Sequence, residues 1–221
     1  MTDSTEHAVP QPGRRSLLGL LMAAGCAVSA GESRAQAPNA ADARQPVSDL
    51  YAGLEAEMRA GGTFQQRFAL LAPLIDRVFD LSTILQTSVG LRWSTLDEGA
   101  RGTLFAVFRA FTIASYTANF DKPGDEKFEV LPQIRPSGQD VIAQSRLIPS
   151  GGDPVRIDYV VRTGYMGWRI IDVLLDGTIS RVAVQRSDFR ALLASGDPAP
   201  LINSLKRKVV DLSGGTMQAG S

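Results

Sequence analysis

Histidine and cysteine are nearly missing from the 221-residue chain: His7 and Cys26 are the only examples, and both stand near its start. Beyond Cys26 no imidazole or thiol remains. That excludes Ser-His and Cys-His nucleophile pairs and zinc sites built from imidazole and thiolate. A single cysteine also forms no internal disulfide, so stability has to come from a packed core. Lysine is scarce too. The four lysines follow Asp121, Glu126, Leu205 and Arg207, so none completes the Gly-Lys-Ser/Thr of a phosphate-cradling P-loop. Formal charge is balanced, 23 Lys+Arg against 23 Asp+Glu, and the basic field of a nucleic-acid binder is absent. No internal repeat interrupts the chain.

The apolar run from Leu17 to Ala30 is shorter than the roughly 20 residues of a membrane span. It follows Arg14-Arg15 and precedes Ala35-Gln36-Ala37. Cations, a short apolar stretch and an A-x-A ending describe an export signal. Arg14-Arg15-Ser16-Leu17-Leu18 resembles the twin-arginine address, with leucine where that motif prefers phenylalanine. Ala23-Ala24-Gly25 before Cys26 is the competing reading, a lipoprotein signal with alanine in the usual leucine place. We adopt cleavage after Ala37. The segment 1–37 carries three cations and three anions, so the remaining 184 residues stay neutral at 20 of each. A domain of that length buries roughly 70% of its unfolded surface. Residues 38–47 then read as a flexible linker, 48–210 as one domain, and 211–221 as a disordered tail.

From Val47 to Phe120 apolar residues recur three and four apart, the helical period. One helix is expected from Val47 to Arg59, ending at Gly61-Gly62. Short helices broken around Pro73 should follow and stop at Gly90. A long helix should open on Thr95 and Glu98 as a capping box, its face formed by Ala100, Leu104, Val107, Phe108, Phe111 and Ser115. After Asp121 the character changes to short β-rich runs: "KFEVLPQI", "DVIAQSRLI", "PVRIDYVVRT", "GWRIIDVLL" and "TISRVAV". Short links between them imply an antiparallel meander, and Asp176-Gly177 suits a tight turn of positive φ. Ser187 would cap a helix ending at Gly196. Asp197-Pro198 would start another reaching Lys208. The fold class is α+β: N-terminal helices, a five-stranded antiparallel meander sheet, and closing C-terminal helices.

Alternation places Ile157, Tyr159 and Val161 on one face of their strand and Arg156, Asp158 and Arg162 on the other. Asp158 and Asp172 are candidate catalytic carboxylates; with Tyr159 either could serve an isomerase or hydratase. Pairing with Arg156 or Arg169 is the plainer role. Arg181, Arg186 and Arg190 could meet an anionic headgroup or simply face water. Lys206-Arg207-Lys208 would complement a helix dipole in a last turn. On composition alone, the apolar residues make an ordinary filled core.

The strings "LLAPLIDRVFDLSTI", "VGLRWSTLDEGARGTLFAVFRAFTIASYTANF", "PVRIDYVVR", "GWRIIDVLLDGTIS" and "QRSDFRALL" resemble, in order and spacing, the MlaC family of periplasmic phospholipid-binding proteins. The resemblance runs from Tyr51 to Lys208. "NFDKPGDEKFEV" and "DGTISRVAVQRSDF" look most like the branch associated with hopanoid biosynthesis, often called HpnM. The stretch Asp176 to Ser180 has one residue more than the family's common Asp-Gly-Val-Ser. The resemblance implies a hollow core holding the acyl chains of a phospholipid or hopanoid. It also implies a monomeric periplasmic shuttle between an inner-membrane ABC lipid transporter and an outer-membrane acceptor, without catalytic residue, metal or cofactor. Expected lining residues are Phe79, Trp93, Leu104, Phe108, Phe111 and Tyr116 from the helices, and Tyr159, Val161, Trp168 and Val173 from the sheet. On this reading Val161→Trp would displace cargo from a cavity. The rivals are the isomerase and a non-catalytic adaptor with a filled core.

Overall fold

Apolar residues at helical spacing carry the chain through four helices before the first strand. The computed structural model describes residues 40–121 and 126–218; the expected export signal lies outside them. Helix α1 is Gln45–Ala60, α2 Phe64–Val78, α3 Leu81–Val89 and α4 Glu98–Asn119. Within the linker expected over 38–47, the described residues from 40 on are part of the fold. Ala40–Arg44 forms a 3-10 turn, and Ala43 and Val47 are fully buried. Pro46 sits in the first turn of α1, where its fixed φ suits a helix and its missing N–H costs nothing.

Pro73 does not break the helix as expected; α2 runs through it. Pro73 and Ala69, whose carbonyl loses its helical donor, both face solvent, so water satisfies what the proline removes. The break comes at Phe79, which takes an extended conformation (φ −102°, ψ 141°) and bridges Ile170 in the sheet. The Asp80 amide donates to the Ile170 carbonyl at 2.9 Å, and the Arg169 guanidinium donates to the carbonyls of Asp76 and Phe79. The α2–α3 corner is thereby fastened to the sheet. The capping box expected at Thr95 and Glu98 is not there either. Asp97 caps α4, accepting the Ala100 amide at 2.8 Å, and Thr95 closes a 3-10 turn instead.

The sheet contains β1 Lys127–Ser137, β2 Asp140–Ile148, β3 Val155–Gly164, β4 Gly167–Leu175 and β5 Ile179–Ser180. It is an antiparallel meander in sequence order, which makes the protein α+β. Pro132 and Pro136 fall on β1, an edge strand, where an absent N–H is tolerated. Asp176 (φ 51°) and Gly177 (φ 70°) make the positive-φ turn the pair predicts. A Cβ on Gly177 would also strike the Arg156 side chain. The strand expected through "TISRVAV" ends after two residues. Ser180 accepts the Ala183 amide at 2.9 Å and Asp172 accepts the Val182 amide at 3.0 Å, so a doubly capped helix α5 (Arg181–Leu192) starts there. Local capping outweighs the β preference of three valine-like side chains. Ser187 lies inside α5.

Asp197 accepts the Ala199 amide at 2.9 Å and opens α6, Ala199–Leu212. The helix continues past Lys208, and the expected disordered tail is ordered through its described part. Ser213 is buried, and the Gln65 amide donates to the Thr216 carbonyl at 2.8 Å. The helices pack on the sheet around a core that includes Leu50, Leu54, Ile75, Leu85, Leu104, Ile113, Val161 and Ile170.

Candidate functional site

Helix α4 presents Phe108, Phe111, Thr112, Ser115, Tyr116 and Asn119 along one face, and that face stands over a cavity instead of a filled core. The opposite wall is the sheet, with Ile157, Tyr159, Val173 and Leu175. Phe79, Leu81 and Ile84 close one side, and Asp172, Arg181, Val182 and Gln185 the other. The space free of protein atoms is about 920 Å³, its open mouth included. The part comparable with the roughly 300–1,000 Å³ of most ligand cavities is about 210 Å³, a narrow space that opens to solvent. Asn119 and Arg181 are the exposed members of the lining, so the cavity meets solvent where they stand.

The lining is apolar in effect even where residue types are polar. The Thr112 hydroxyl donates to the Phe108 carbonyl at 3.0 Å and the Ser115 hydroxyl to the Phe111 carbonyl at 2.8 Å. Each donor is satisfied within its own helix, which leaves the carbon side toward the space. An aromatic series continues from the lining. Phe79 and Tyr116 have centroids 5.5 Å apart, Tyr116 and Phe120 6.1 Å, Phe120 and Phe128 5.6 Å, and Phe128 stacks on Tyr51 at 4.7 Å. Burial pushes the hydroxyls of Tyr51, Tyr116 and Tyr159 above the ordinary tyrosine value, although Arg181 pulls Tyr116 the other way. These phenols stay neutral at physiological pH, so the cavity contains no phenolate base.

Six of the ten residues expected at the cavity line it: Phe79, Phe108, Phe111, Tyr116, Tyr159 and Val173. The other four do not. Leu104 and Val161 are fully buried in the solid core. Trp93 lies in the 3-10 turn before α4, with the Arg101 guanidinium 5.7 Å from its ring centroid. Trp168 pairs opposite Thr163 toward the β3–β4 hairpin, and its buried indole N–H has no hydrogen-bond partner among the described residues. The Val161→Trp expectation changes accordingly. This substitution should overpack the core, lowering stability by about 1–3 kcal/mol in a denaturant titration without acting through the cavity.

A register shift between Val160 and Val161 explains part of the difference. Tyr159 faces Val173 across the ladder, whereas Val161 faces Ile170. Two β3 residues on one face are therefore matched by β4 residues three apart, and simple alternation along β4 fails. Of the lining residues outside the expected set, Ile157, Thr112, Ser115 and Asn119 share a strand or helix face with expected ones, so periodicity carries a signal for them. Leu81, Phe120, Leu175 and Val182 lie at corners and element ends whose direction periodicity does not give.

The two carboxylates have structural partners. Asp158 is fully buried away from the cavity, with the Arg156 guanidinium at 2.6 Å and that of Arg135 at 3.9 Å. Asp172 reaches the cavity wall, but its oxygens accept the Val173 amide at 2.8 Å, the Val182 amide at 3.0 Å and the Ser180 hydroxyl. It is a cap for α5. Asp172→Ala should cost about 1–2 kcal/mol by loss of that cap, lowering Tm by several degrees, with the cavity retained.

An α+β scaffold enclosing an open, neutral, apolar cavity defines a container for an apolar ligand. A family model described as "MlaC protein" matches residues 45–207, and the chain belongs to the MlaC family. No curated protein matches the chain. Among solved structures it is similar to the phospholipid-binding protein from Ralstonia solanacearum in complex with a phospholipid. The TM-score is 0.67 at 21% identity, covering 80% of this chain and 99% of the other. At that identity the likeness establishes the fold.

Proposed function

We propose that this protein is an exported, periplasmic lipid carrier that holds the acyl chains of a phospholipid in the cavity beneath α4. The observation that carries the reading is the cavity itself: an apolar space of about 210 Å³ walled by Phe79, Phe108, Phe111, Ile157 and Val173, reaching solvent at Asn119 and Arg181. Family membership and the phospholipid-bound neighbour support it. The physical need is plain. Each methylene exposed to water costs about 0.8 kcal/mol, so a two-chain lipid does not cross an aqueous space unaided at a useful rate. A cavity lined by carbon removes that cost and requires no nucleophile, metal or nucleotide.

Loading and release would be driven by partners that bind the filled and empty protein differently. An inner-membrane ABC lipid transporter complex and an outer-membrane acceptor are the partners of this kind of carrier. The catalytic rival has less support, because the Asp172 carboxylate is occupied and the cavity tyrosines are neutral.

Transfer of a fluorescent-chain phospholipid between donor and acceptor vesicles tests the shuttle. The protein should accelerate exchange in proportion to its concentration. Stoichiometric lipid uptake with no acceleration would keep the container and remove the shuttle. A hopanoid taken up in preference to phospholipid would replace the cargo.

A further inference from the structure

Next to the cavity lies a second cleft, about 640 Å³ with its mouth included, between α4, α5 and α6. Phe111, Arg181 and Gln185 belong to the walls of both, so the cleft and the cavity are neighbours that share these three side chains. The deep part of the cleft is apolar, with Phe189, Leu201 and Leu205 buried beneath it. Its charged members are two cations and one anion: Arg181, Lys208 and Asp188.

On α2, α4, β2 and β3, Arg67, Arg109, Arg146, Arg156 and Arg162 each hold a carboxylate; the charges that line the cleft do not. Among the described residues the side chains of Arg181, Lys208 and Asp188 have no hydrogen bond or ion pair. The Lys208 ammonium instead sits 5.8 Å from the centroid of the Phe111 ring, which lines both spaces. Lys208 is not in the last turn of α6, which runs on to Leu212, so complementing the helix end does not account for it.

We infer that Arg181 and Lys208 form a headgroup-phosphate subsite at the rim of this cleft, with Asp188 placed to receive a headgroup ammonium. The inference rests on the carrier reading. A lipid whose chains enter beneath Phe111 has its glycerol and phosphate leave at the mouth, where Arg181 stands. A phosphodiester carries one negative charge, which a guanidinium and an ammonium bind through charge-assisted hydrogen bonds. With an amine beyond the phosphate, the pattern of two cations and one anion is complementary to a zwitterionic headgroup.

The test compares retention of three fluorescent-chain probes of equal chain length: a phosphatidylethanolamine, a phosphatidylglycerol and a diacylglycerol without phosphate. All three positions are exposed, so circular dichroism should be unchanged in the variants. The wild type should prefer both phospholipids over diacylglycerol. In the Arg181→Gln, Lys208→Gln double variant that preference, read as the ratio of phospholipid to diacylglycerol retention, should fall about 10- to 100-fold. Asp188→Asn should weaken phosphatidylethanolamine alone. Equal retention of all three probes by the wild type, or a preference that survives the double variant, would overturn the subsite while leaving the carrier intact. A wild type that retains none of the probes would overturn both.

Discussion

Val173→Trp should abolish lipid retention while leaving the protein folded. Val173 faces Tyr159 across the β3–β4 ladder, and both line the cavity. It is half-buried, and the space before it is unoccupied by protein atoms, so an indole has somewhere to go. In a solid core the same enlargement would cost about 1–3 kcal/mol through forced rotamers. Here it should change the denaturation midpoint little and lower acyl-chain retention by at least about tenfold, since the ring occupies volume that a chain would use. Val161→Trp, two residues from Tyr159 on the neighbouring strand, is the matched control, because Val161 is fully enclosed. The pair separates a container from an adaptor. An adaptor with no ligand would show no retention to lose.

The largest loss of stability should come from Arg67→Met. The Arg67 guanidinium on α2 donates to Glu57 of α1 at 3.2 Å and to the Thr117 carbonyl of α4 at 3.0 Å, joining three helices. Both side chains are nearly inaccessible, 9% and 2% exposed. Burial pushes the Glu57 carboxyl above its ordinary value while Arg67 holds it down, and one of its oxygens has no hydrogen-bond partner among the described residues. Removing the arginine leaves a buried carboxylate without its counter-charge, at a cost of about 3–5 kcal/mol near neutral pH. For a domain of this size that is a fall in Tm of about 6–20 °C.

The pH dependence has a definite sign. Because the folded carboxyl is raised, the folded state binds the Glu57 proton more tightly than the unfolded chain does. Stability from this group is then full below the unfolded value and declines as pH rises through the folded one. In Arg67→Met the rise is larger, so the deficit should shrink at acidic pH. Pairing the change with Glu57→Leu should recover most of the loss, which calorimetry on the single and double variants would show.

Much of the fold was legible because side-chain period reports directly on element type. The three- and four-residue spacing of α4 and the alternation "VRIDYVV" each admit one reading. Asp176-Gly177 was legible for a different reason, since few residue pairs accept two positive φ values in succession. The failures have local causes. A helical proline costs less where water reaches the carbonyl it frees, and Pro73 is on the wet side of α2. Ser180 and Asp172 are eight residues apart, so their joint capping of α5 is visible only once β4 and β5 pair.

The cavity was not legible in composition at all. Leu104 and Phe108 are one turn apart on the same face of α4, yet only Phe108 borders empty space. A hollow and a filled core use the same residue types, and the difference lies in atoms that are missing from the middle. Family resemblance supplied that expectation, and the positions of Trp93 and Trp168 show how coarsely it transfers to single residues.

The most direct test is native mass spectrometry of the protein isolated from its own cells, with extracted lipids identified in parallel. The account predicts a bound adduct of phospholipid mass that is absent from Val173→Trp. A clean unliganded mass that stays clean after incubation with phospholipid vesicles would contradict it.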